Sequence, residues 1–151
     1  MAIKFYKTND EYGEFSNFSK HGFNLDGKYW ATSEHYFQAQ KFEDLALQEE
    51  IRNAKTPMEA AILGRNRNYP LRKDWEDIKD SVMQKAVLQK FTTHVELRHL
   101  LLSTKDQEII EATADDYYWG CGADGTGKNK LGEILMVVRS LLDGTSGHCH
   151  I

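Results

Sequence analysis

Apolar and polar residues recur with the period of an α-helix over most of the chain. The clearest example is the segment 75–91, where Trp75, Ile78, Val82, Ala86 and Gln89 form one mostly apolar stripe. Similar segments predict helices from Ser33 onward and over about 44–54, 57–64, 94–102, 106–113 and 131–142. Helices should therefore make up most of the fold.

Capping residues mark where two of these helices begin. Thr56-Pro57-Met58-Glu59 has every part of a capping box, with proline at the first helical position. Gly64 can end that helix in the left-handed conformation. Thr32 or Ser33 can cap the preceding helix. This places Glu34 in the first turn, where the helix dipole favours a carboxylate.

Strand signals are confined to the start of the chain. Residues 2–6 (AIKFY) predict a short edge strand, and FNLDGKYW (23–30) predicts a hairpin with Asp26-Gly27 in its turn. Strands and helices do not alternate, which argues against a doubly wound sheet. We predict a helix-rich α+β domain of about seven helices with a small antiparallel β element, covering residues 1–143, and a flexible tail over 144–151.

Composition and charge exclude several classes of protein. The net charge of −4 weighs against a protein that coats nucleic acid through a basic face. Cys121 and Cys149 match no zinc or disulfide framework, which fits a reducing compartment. The first residues lack a signal-peptide core, and no apolar run approaches ~20 residues. We expect a cytoplasmic protein with no membrane segment.

The segment Gly122–Asn129 (GADGTGKN) nearly matches a nucleotide-binding phosphate loop. Asn129 stands where that loop needs a hydroxyl to hold magnesium, and the preceding DDYYWGC is not a buried apolar strand. Two interpretations stay open. Glycine-rich backbone ahead of a helix can bind phosphate through free N–H groups, or the glycines can simply turn corners in a surface loop.

Carboxylates stand beside aromatic residues at two places in the chain. Glu34 precedes His35 and Tyr36, and Asp115-Asp116 precedes Tyr117, Tyr118 and Trp119. Breaking a glycosidic bond passes through an oxocarbenium-like state that a carboxylate can stabilise, and flat rings can hold a base. Taken singly, a glutamate at a helix start is more often only a favourable cap, and an aspartate at a helix end a solvated turn residue.

Cationic residues supply candidates for phosphate binding and for nucleophilic chemistry. Arg65, Arg67, Arg72 and Lys73 fall within one loop, and arginine binds phosphate in a bidentate manner. A solvated basic loop is the simpler alternative. Lys41 follows Glu34 and Gln38 at helical spacing (i, i+4, i+7), so it can enter the same pocket and attack the aldehyde of an opened sugar.

Metal chemistry is poorly supported. His148-Cys149-His150 could chelate, but no fourth ligand lies near it in sequence, and His94 and His99 have the wrong spacing for a helical pair. The chemistry that the other candidates support requires neither a metal nor an organic cofactor.

An ordered series of motifs runs along nearly the whole chain. It comprises FSNF (15–18), SEHYFQAQKF (33–42), LGRNR (63–67), PLRKDWE (70–76), KF (90–91), LLST (101–104), D-x-x-WG (116–120) and GKNKLG with LM and R (127–139). The series resembles the NADAR family, the YbiA-like N-glycosidases, over about residues 3–142. No single motif is specific, but the order of the whole series is.

The resemblance implies hydrolysis of the N-glycosidic bond in ribosylamino-pyrimidine phosphates, which are early riboflavin intermediates. The products are ribose 5-phosphate and a free aminopyrimidine. It points to Glu34, Trp75, Asp116 and Trp119 as important positions and to Lys41 as a candidate for an imine intermediate. Where the family has an acidic residue, this chain has Cys121, which can alter specificity or be simple drift.

These observations combine into a hypothesis in which Glu34 and Asp116 lie on either side of the sugar and divide charge stabilisation and proton transfer between them. Trp119, with Phe18 or Tyr36, would stack on the base, and Trp75 would contact substrate or form a wall. Arg65, Arg67 and the 125–129 backbone would bind phosphate. The remaining candidate substrate-binding residues are Asn17, Gln38, Gly120, Gly127 and Asn129.

Two other functions remain open. One is removal of ADP-ribose from guanine in nucleic acid, against which the net charge weighs mildly. The other is a nucleotide or ADP-ribose sensor that does not cleave its ligand. We expect a small phosphorylated N-glycoside as the partner molecule, and the sequence shows no sign of an obligate protein partner.

Overall fold

Helices account for about half of the computed structural model, which describes residues 2–148 and the side chains of residues 2–144. Within this range there are six α-helices: α1 (Ser33–Ala39), α2 (Leu45–Arg52), α3 (Pro57–Gly64), α4 (Trp75–Thr93), α5 (Val95–Ser103) and α6 (Lys130–His148). The predicted helix-rich α+β class is confirmed. The predicted number of about seven helices is one too high for the described residues.

Four short strands form two separate pairs. The strands are β1 (Ile3–Phe5), β2 (Phe23–Leu25), β3 (Lys28–Trp30) and β4 (Ile109–Glu111). β2 and β3 form the predicted antiparallel hairpin, and Asp26 and Gly27 in its turn have φ angles of 55° and 80°. These positive angles are those that a type I′ turn requires.

The predicted helix over 106–113 is wrong, because this segment contains β4 instead. β4 pairs in parallel with β1, and buried Ile109 lies opposite Ile3. The partner strand is more than a hundred residues away in sequence, so local periodicity could not reveal the pairing. Tertiary contacts thus overrode the helical pattern.

The chain divides into two compact units. Residues 17–90, here called the central unit, hold α1 to α3, the hairpin and most of α4. Its core includes Trp30 and Tyr36, whose rings meet edge-on with centroids 5.1 Å apart. The Tyr36 hydroxyl donates to Asp26 Oδ2 at 2.7 Å, which ties α1 to the hairpin turn.

Residues 1–16 and 91–151 form the second unit, here called the terminal unit. Phe15 packs against Phe5 and Phe91 in its core, with ring centroids 5.9 and 5.8 Å away. α6 packs on β4 and α5 and runs on to His148, beyond its expected end at Leu142. The predicted flexible tail lies partly outside the described residues and stays a prediction. No helix in the described part of the chain could cross a membrane.

Candidate active site

The start of α1 fixes the position of Glu34. Thr32 is the N-cap residue, and its Oγ1 accepts the backbone N–H of His35 at 3.2 Å. The N–H of Glu34 donates to the carbonyl of Asn17 at 3.2 Å. Glu34 is half-buried in the first turn, as the sequence predicted. Its carboxylate is therefore held on a capped helix end, where the dipole favours negative charge.

His35 anchors the same turn from the other side. Its Nε2 donates to the carbonyl of Ala54 at 3.0 Å, so Nδ1 accepts the Thr32 hydroxyl at 2.8 Å. Burial lowers the pKa of His35, and the hydrogen bond to Ala54 opposes this only in part. The neutral imidazole thus links the cap of α1 to the segment between α2 and α3.

Asn17 supports the start of α1 with its side chain. Its Oδ1 accepts the hydroxyl of Ser33 at 2.8 Å, and its Nδ2 donates to the sulfur of Met83 at 3.3 Å. The residue is only 9% exposed. This arrangement favours a structural role over the predicted contact with substrate. The neighbouring Phe18 is half-buried.

Gln38 lies one turn after Glu34 and contacts it directly. Its Nε2 donates to Glu34 Oε2 at 2.7 Å. The other end of the carboxamide, Oε1, is buried and has no hydrogen-bond partner among the described residues. That oxygen lies against Gly64, where a Cβ would overlap it. Gly64 ends α3 without the left-handed conformation that the sequence predicted.

Lys41 lies beside the helix rather than on it. α1 ends at Ala39, so the predicted helical face stops short of Lys41. The amine lies 5.7 Å from the ring centroid of Phe37, and burial lowers its pKa to about 8. The charge of Glu34 opposes this shift, so the carboxylate lies close enough to act on the amine.

Three further cations act on Lys41. Arg67, Arg65 and Lys79 each lower its pKa by repulsion. Arg65 and Arg67 are exposed, and Arg67 Nη1 donates to the carbonyl of Gly64 at 2.9 Å. Arg72 from the same basic loop is instead paired with Asp74, at 2.6 Å. Lys79 was not among the residues predicted from the sequence, although it follows Trp75 by one turn of α4 and lies on the same face of that helix.

Two of the predicted aromatic contacts lie in the core. Tyr36 is only 2% exposed and packs edge-on against Trp30, so its ring presents no face to a ligand. Trp75 is 5% exposed, and its ring lies 5.1 Å from that of Phe37, the residue beneath the Lys41 amine. The wall interpretation of Trp75 therefore fits the structure, whereas the predicted stacking by Tyr36 is wrong.

Asp116 belongs to the terminal unit and shapes a turn there. Its Oδ1 accepts the N–H groups of Tyr118 at 3.0 Å and Trp119 at 2.8 Å. Trp119 is half-buried and meets the ring of Tyr118 edge-on at 4.9 Å. The carboxylate thus fixes the backbone at the aromatic residue that the sequence proposed for base stacking.

The glycine-rich loop does not offer free N–H groups. All five N–H groups of residues 125–129 donate to other residues of segment 117–124, with acceptors on Gly122, Asp124, Cys121, Tyr117 and Gly120. The Asn129 side chain bridges β4, accepting from Glu111 N and donating to the Ile109 carbonyl, both at 2.9 Å. The predicted phosphate binding by this backbone is wrong, because these bonds fold the loop instead.

Gly120 and Gly127 lie where neighbouring backbone packs closely. Gly120 is buried, and a Cβ there would crowd Glu111 Oε2 and the Asp116 carbonyl. A Cβ on Gly127 would crowd the Gly120 carbonyl and the backbone of Cys121. The backbone contacts make glycine necessary at Gly127, whereas at Gly120 the crowding is milder. The predicted contact of both residues with substrate stays a prediction.

No group of three metal-binding side chains is present among the described residues. The His148-Cys149-His150 motif lies outside the described side chains. The predicted capping of α1 is confirmed at Thr32, but the anchoring roles of His35 and Asn17 were not predicted from the sequence. The threonine cap was recognisable, but the contacts from His35 and Asn17 join residues distant in sequence.

Comparison with known proteins places the chain in a family. The family model described as the NADAR domain matches residues 4–143. The chain belongs to the NADAR family. It is 55% identical to N-glycosidase YbiA of Shigella boydii over 140 residues, which covers 93% of this chain and 88% of that protein.

Two further similar proteins bear on fold and function. The NMR structure of the Escherichia coli protein YbiA matches with a TM-score of 0.91 and 52% identity, covering 97% of this chain and 87% of that one. The chloroplastic riboflavin biosynthesis protein PYRR of Zea mays is 44% identical over 158 residues, covering 95% of this chain and 25% of that protein. The fold and family expected from the sequence motifs are confirmed.

The depressed pKa of Lys41 predicts how the reactivity of its amine changes with pH. With a pKa of about 8, about one tenth of the molecules carry the neutral amine at pH 7. Competitive acetylation followed by mass spectrometry should show that the reactivity of Lys41 rises with pH and levels off once the pH exceeds its pKa of about 8. Lys73, which is exposed, is the internal reference. Glu34→Gln should move the midpoint down, and Arg65→Gln should move it up, since their charges act in opposite directions. A midpoint near 10 would contradict the structure.

Proposed function

We propose that this NADAR protein hydrolyses the N-glycosidic bond of ribosylamino-pyrimidine 5′-phosphates from the riboflavin pathway, releasing ribose 5-phosphate and a free aminopyrimidine. The observation that carries the proposal is that the Glu34 carboxylate, Arg65 and Arg67 all lie close enough to the low-pKa Lys41 amine for their charges to act on it. The names of its relatives, N-glycosidase and riboflavin biosynthesis protein, support both the reaction and the substrate class.

The cations suit a phosphorylated sugar. Arg65 and Arg67 are exposed and lie close enough to Lys41 to lower its pKa. A phosphate bound by one or both guanidinium groups would bring the sugar to the amine and carboxylate. The net charge of the chain is −4, so such binding would be local rather than a property of the whole surface.

Glu34 has the chemistry to stabilise the reacting sugar. As the bond to the base breaks, positive charge develops at C1 and the ring oxygen, and a nearby carboxylate lowers the energy of that state. The carboxylate is held by the capped start of α1 and by the amide of Gln38. A fixed anion of this kind needs little reorganisation during the reaction.

In a second route, in which the ring opens before the bond to the base breaks, Lys41 has the chemistry of an imine-forming amine. The glycosylamine opens to a chain whose C1 is bound to the base nitrogen, and the neutral amine of Lys41 adds to C1. Expulsion of the aminopyrimidine leaves ribose 5-phosphate bound to Lys41 as an imine. Water then adds to C1 and releases the sugar aldehyde and the amine, so no oxidant or cofactor is consumed.

The proposal is tested by HPLC of candidate N-glycosides incubated with wild-type protein and Glu34→Gln. We expect turnover of the ribosylamino-pyrimidine phosphate to fall at least ~100-fold in the variant, because the charge is lost while the shape is kept. Glu96→Gln is the matched control, since Glu96 occupies the same first-turn position in α5 and is exposed.

Other outcomes of this assay would favour one of the two alternative functions. Cleavage of ADP-ribosylated DNA without cleavage of the pyrimidine substrate would favour the nucleic-acid function. Tight binding with no ribose 5-phosphate released would favour a sensor. Wild-type turnover by Glu34→Gln would remove Glu34 from the mechanism.

The role of Asp116 is tested by comparing two substitutions. Asp116→Asn keeps an oxygen that can accept from Tyr118 and Trp119 but removes the charge, whereas Asp116→Ala removes both. If the charge acts in the reaction, both variants should lose about 100-fold in kcat, and only Asp116→Ala should also lose thermal stability. Full activity in Asp116→Asn would leave Asp116 with a structural role alone.

The imine is tested by borohydride trapping. Reduction during turnover should attach the pentose phosphate to Lys41, adding its mass to the peptide that contains residue 41. Lys41→Arg should abolish both the adduct and activity, because a guanidinium group does not form the imine. Retained activity in Lys41→Arg, with no adduct in the wild type, would remove the imine from the mechanism.

A further inference from the structure

The carboxamide of Gln38 is satisfied at one end only. Its Nε2 donates to Glu34 Oε2 at 2.7 Å, while Oε1 is buried without a hydrogen-bond donor among the described residues. The side chain is 7% exposed. Turning the amide over would bring its oxygen against the carboxylate oxygen, where two acceptors repel. The observed orientation of the amide therefore keeps the hydrogen bond to Glu34 and leaves Oε1 without a donor among the described residues.

An unsatisfied buried acceptor disfavours folding. Such groups are rare, and where they persist they often mark a functional site. An apolar side chain of similar length could fill the same space without this cost. The amide is therefore explained by its contact with Glu34 and not by its contribution to the core.

Gly64 provides the space in which Gln38 sits. A Cβ on Gly64 would overlap Gln38 Oε1 and lie 2.8 Å from its Cδ. Gly64 has no positive φ, so its backbone conformation is open to any residue. The need for glycine is therefore steric and arises from Gln38. The Gly64 carbonyl also accepts Arg67 Nη1 at 2.9 Å, which fixes this point of the chain.

We propose that Gln38 and Gly64 are positioning residues for the proposed N-glycosidase reaction: Gly64 leaves room for the Gln38 amide, which orients the Glu34 carboxylate at a cost in stability. The inference rests on the proposed function in one respect, that Glu34 acts on the substrate. Neither residue touches the reacting atoms in this role.

Gln38→Met tests the first half of the proposal. Methionine fills the space but donates no hydrogen bond, so kcat should fall about 10- to 100-fold while KM changes less than about twofold. The melting temperature should stay the same or rise, since the unsatisfied oxygen is gone. Gln40→Met is the matched control, and it should keep wild-type kcat because the hydrogen bond to Glu34 comes from Gln38, whereas Gln40 is the C-cap residue of α1.

Gly64→Ala tests the second half. Alanine favours a helix more than glycine does, but here it would displace Gln38, so kcat should fall as in Gln38→Met. Gly144→Ala is the matched control, since Gly144 lies in α6 with nothing near the added Cβ. In a double-mutant cycle, Gly64→Ala should cost no further activity once Gln38→Ala has made room.

NMR distinguishes a failure of the proposed N-glycosidase function from a failure of the proposed positioning role. The Gln38 side-chain amide signals should shift in Glu34→Gln and in Gly64→Ala but not in Gly144→Ala, whether or not any substrate is cleaved. Absence of pyrimidine turnover with these shifts present would overturn the proposed function alone. Unshifted signals, additive losses in the cycle or wild-type kcat in Gln38→Met would overturn the positioning role.

Discussion

The hydrogen bonds at the start of α1 are the constraint on which the rest of the candidate site depends. Thr32 caps the helix, and His35 joins that cap to the segment between α2 and α3. Asn17 holds both Ser33 and the backbone of Glu34. Since these contacts come from three separate segments, the direction of α1 and the place of its first carboxylate are set by tertiary structure and not by helix propensity alone.

The pKa of Lys41 is set by effects of opposite sign. Burial and three neighbouring cations favour the neutral amine, while Glu34 favours the charged one. An anion bound at Arg65 or Arg67 would offset part of that repulsion, so occupancy of the proposed phosphate position would be thermodynamically linked to protonation of the amine. Trp75 packs against Phe37, whose ring lies beneath the amine, and so forms part of the apolar surroundings of Lys41. An apolar wall and a charge cluster together set the reactivity of one side chain.

Local signals predicted the local parts of the fold. The Asp26-Gly27 turn and the Thr56 cap depend on neighbouring residues and were confirmed. The second half of the predicted capping box differs, because the Glu59 carboxylate accepts the N–H of Lys55 and not that of Thr56. β4 was missed because its partner is distant in sequence, and the bonded N–H groups of 125–129 depend on how the loop folds back on itself. The motif series identified Glu34 and Lys41 as candidates, but no sequence pattern shows that Gln38 requires a glycine at position 64.

The pairing of β1 with β4 has a consequence for the order in which the chain folds during synthesis. Ile3 has no strand partner until Ile109 has been made and has left the ribosome, so the terminal unit cannot complete its sheet before most of the chain exists. The central unit is one continuous segment, residues 17–90, and all of its internal contacts are available earlier. Residues 3–5 therefore have no native strand partner at the stage when the central unit can form, and their backbone N–H and C=O groups are then open to pairing with other chains.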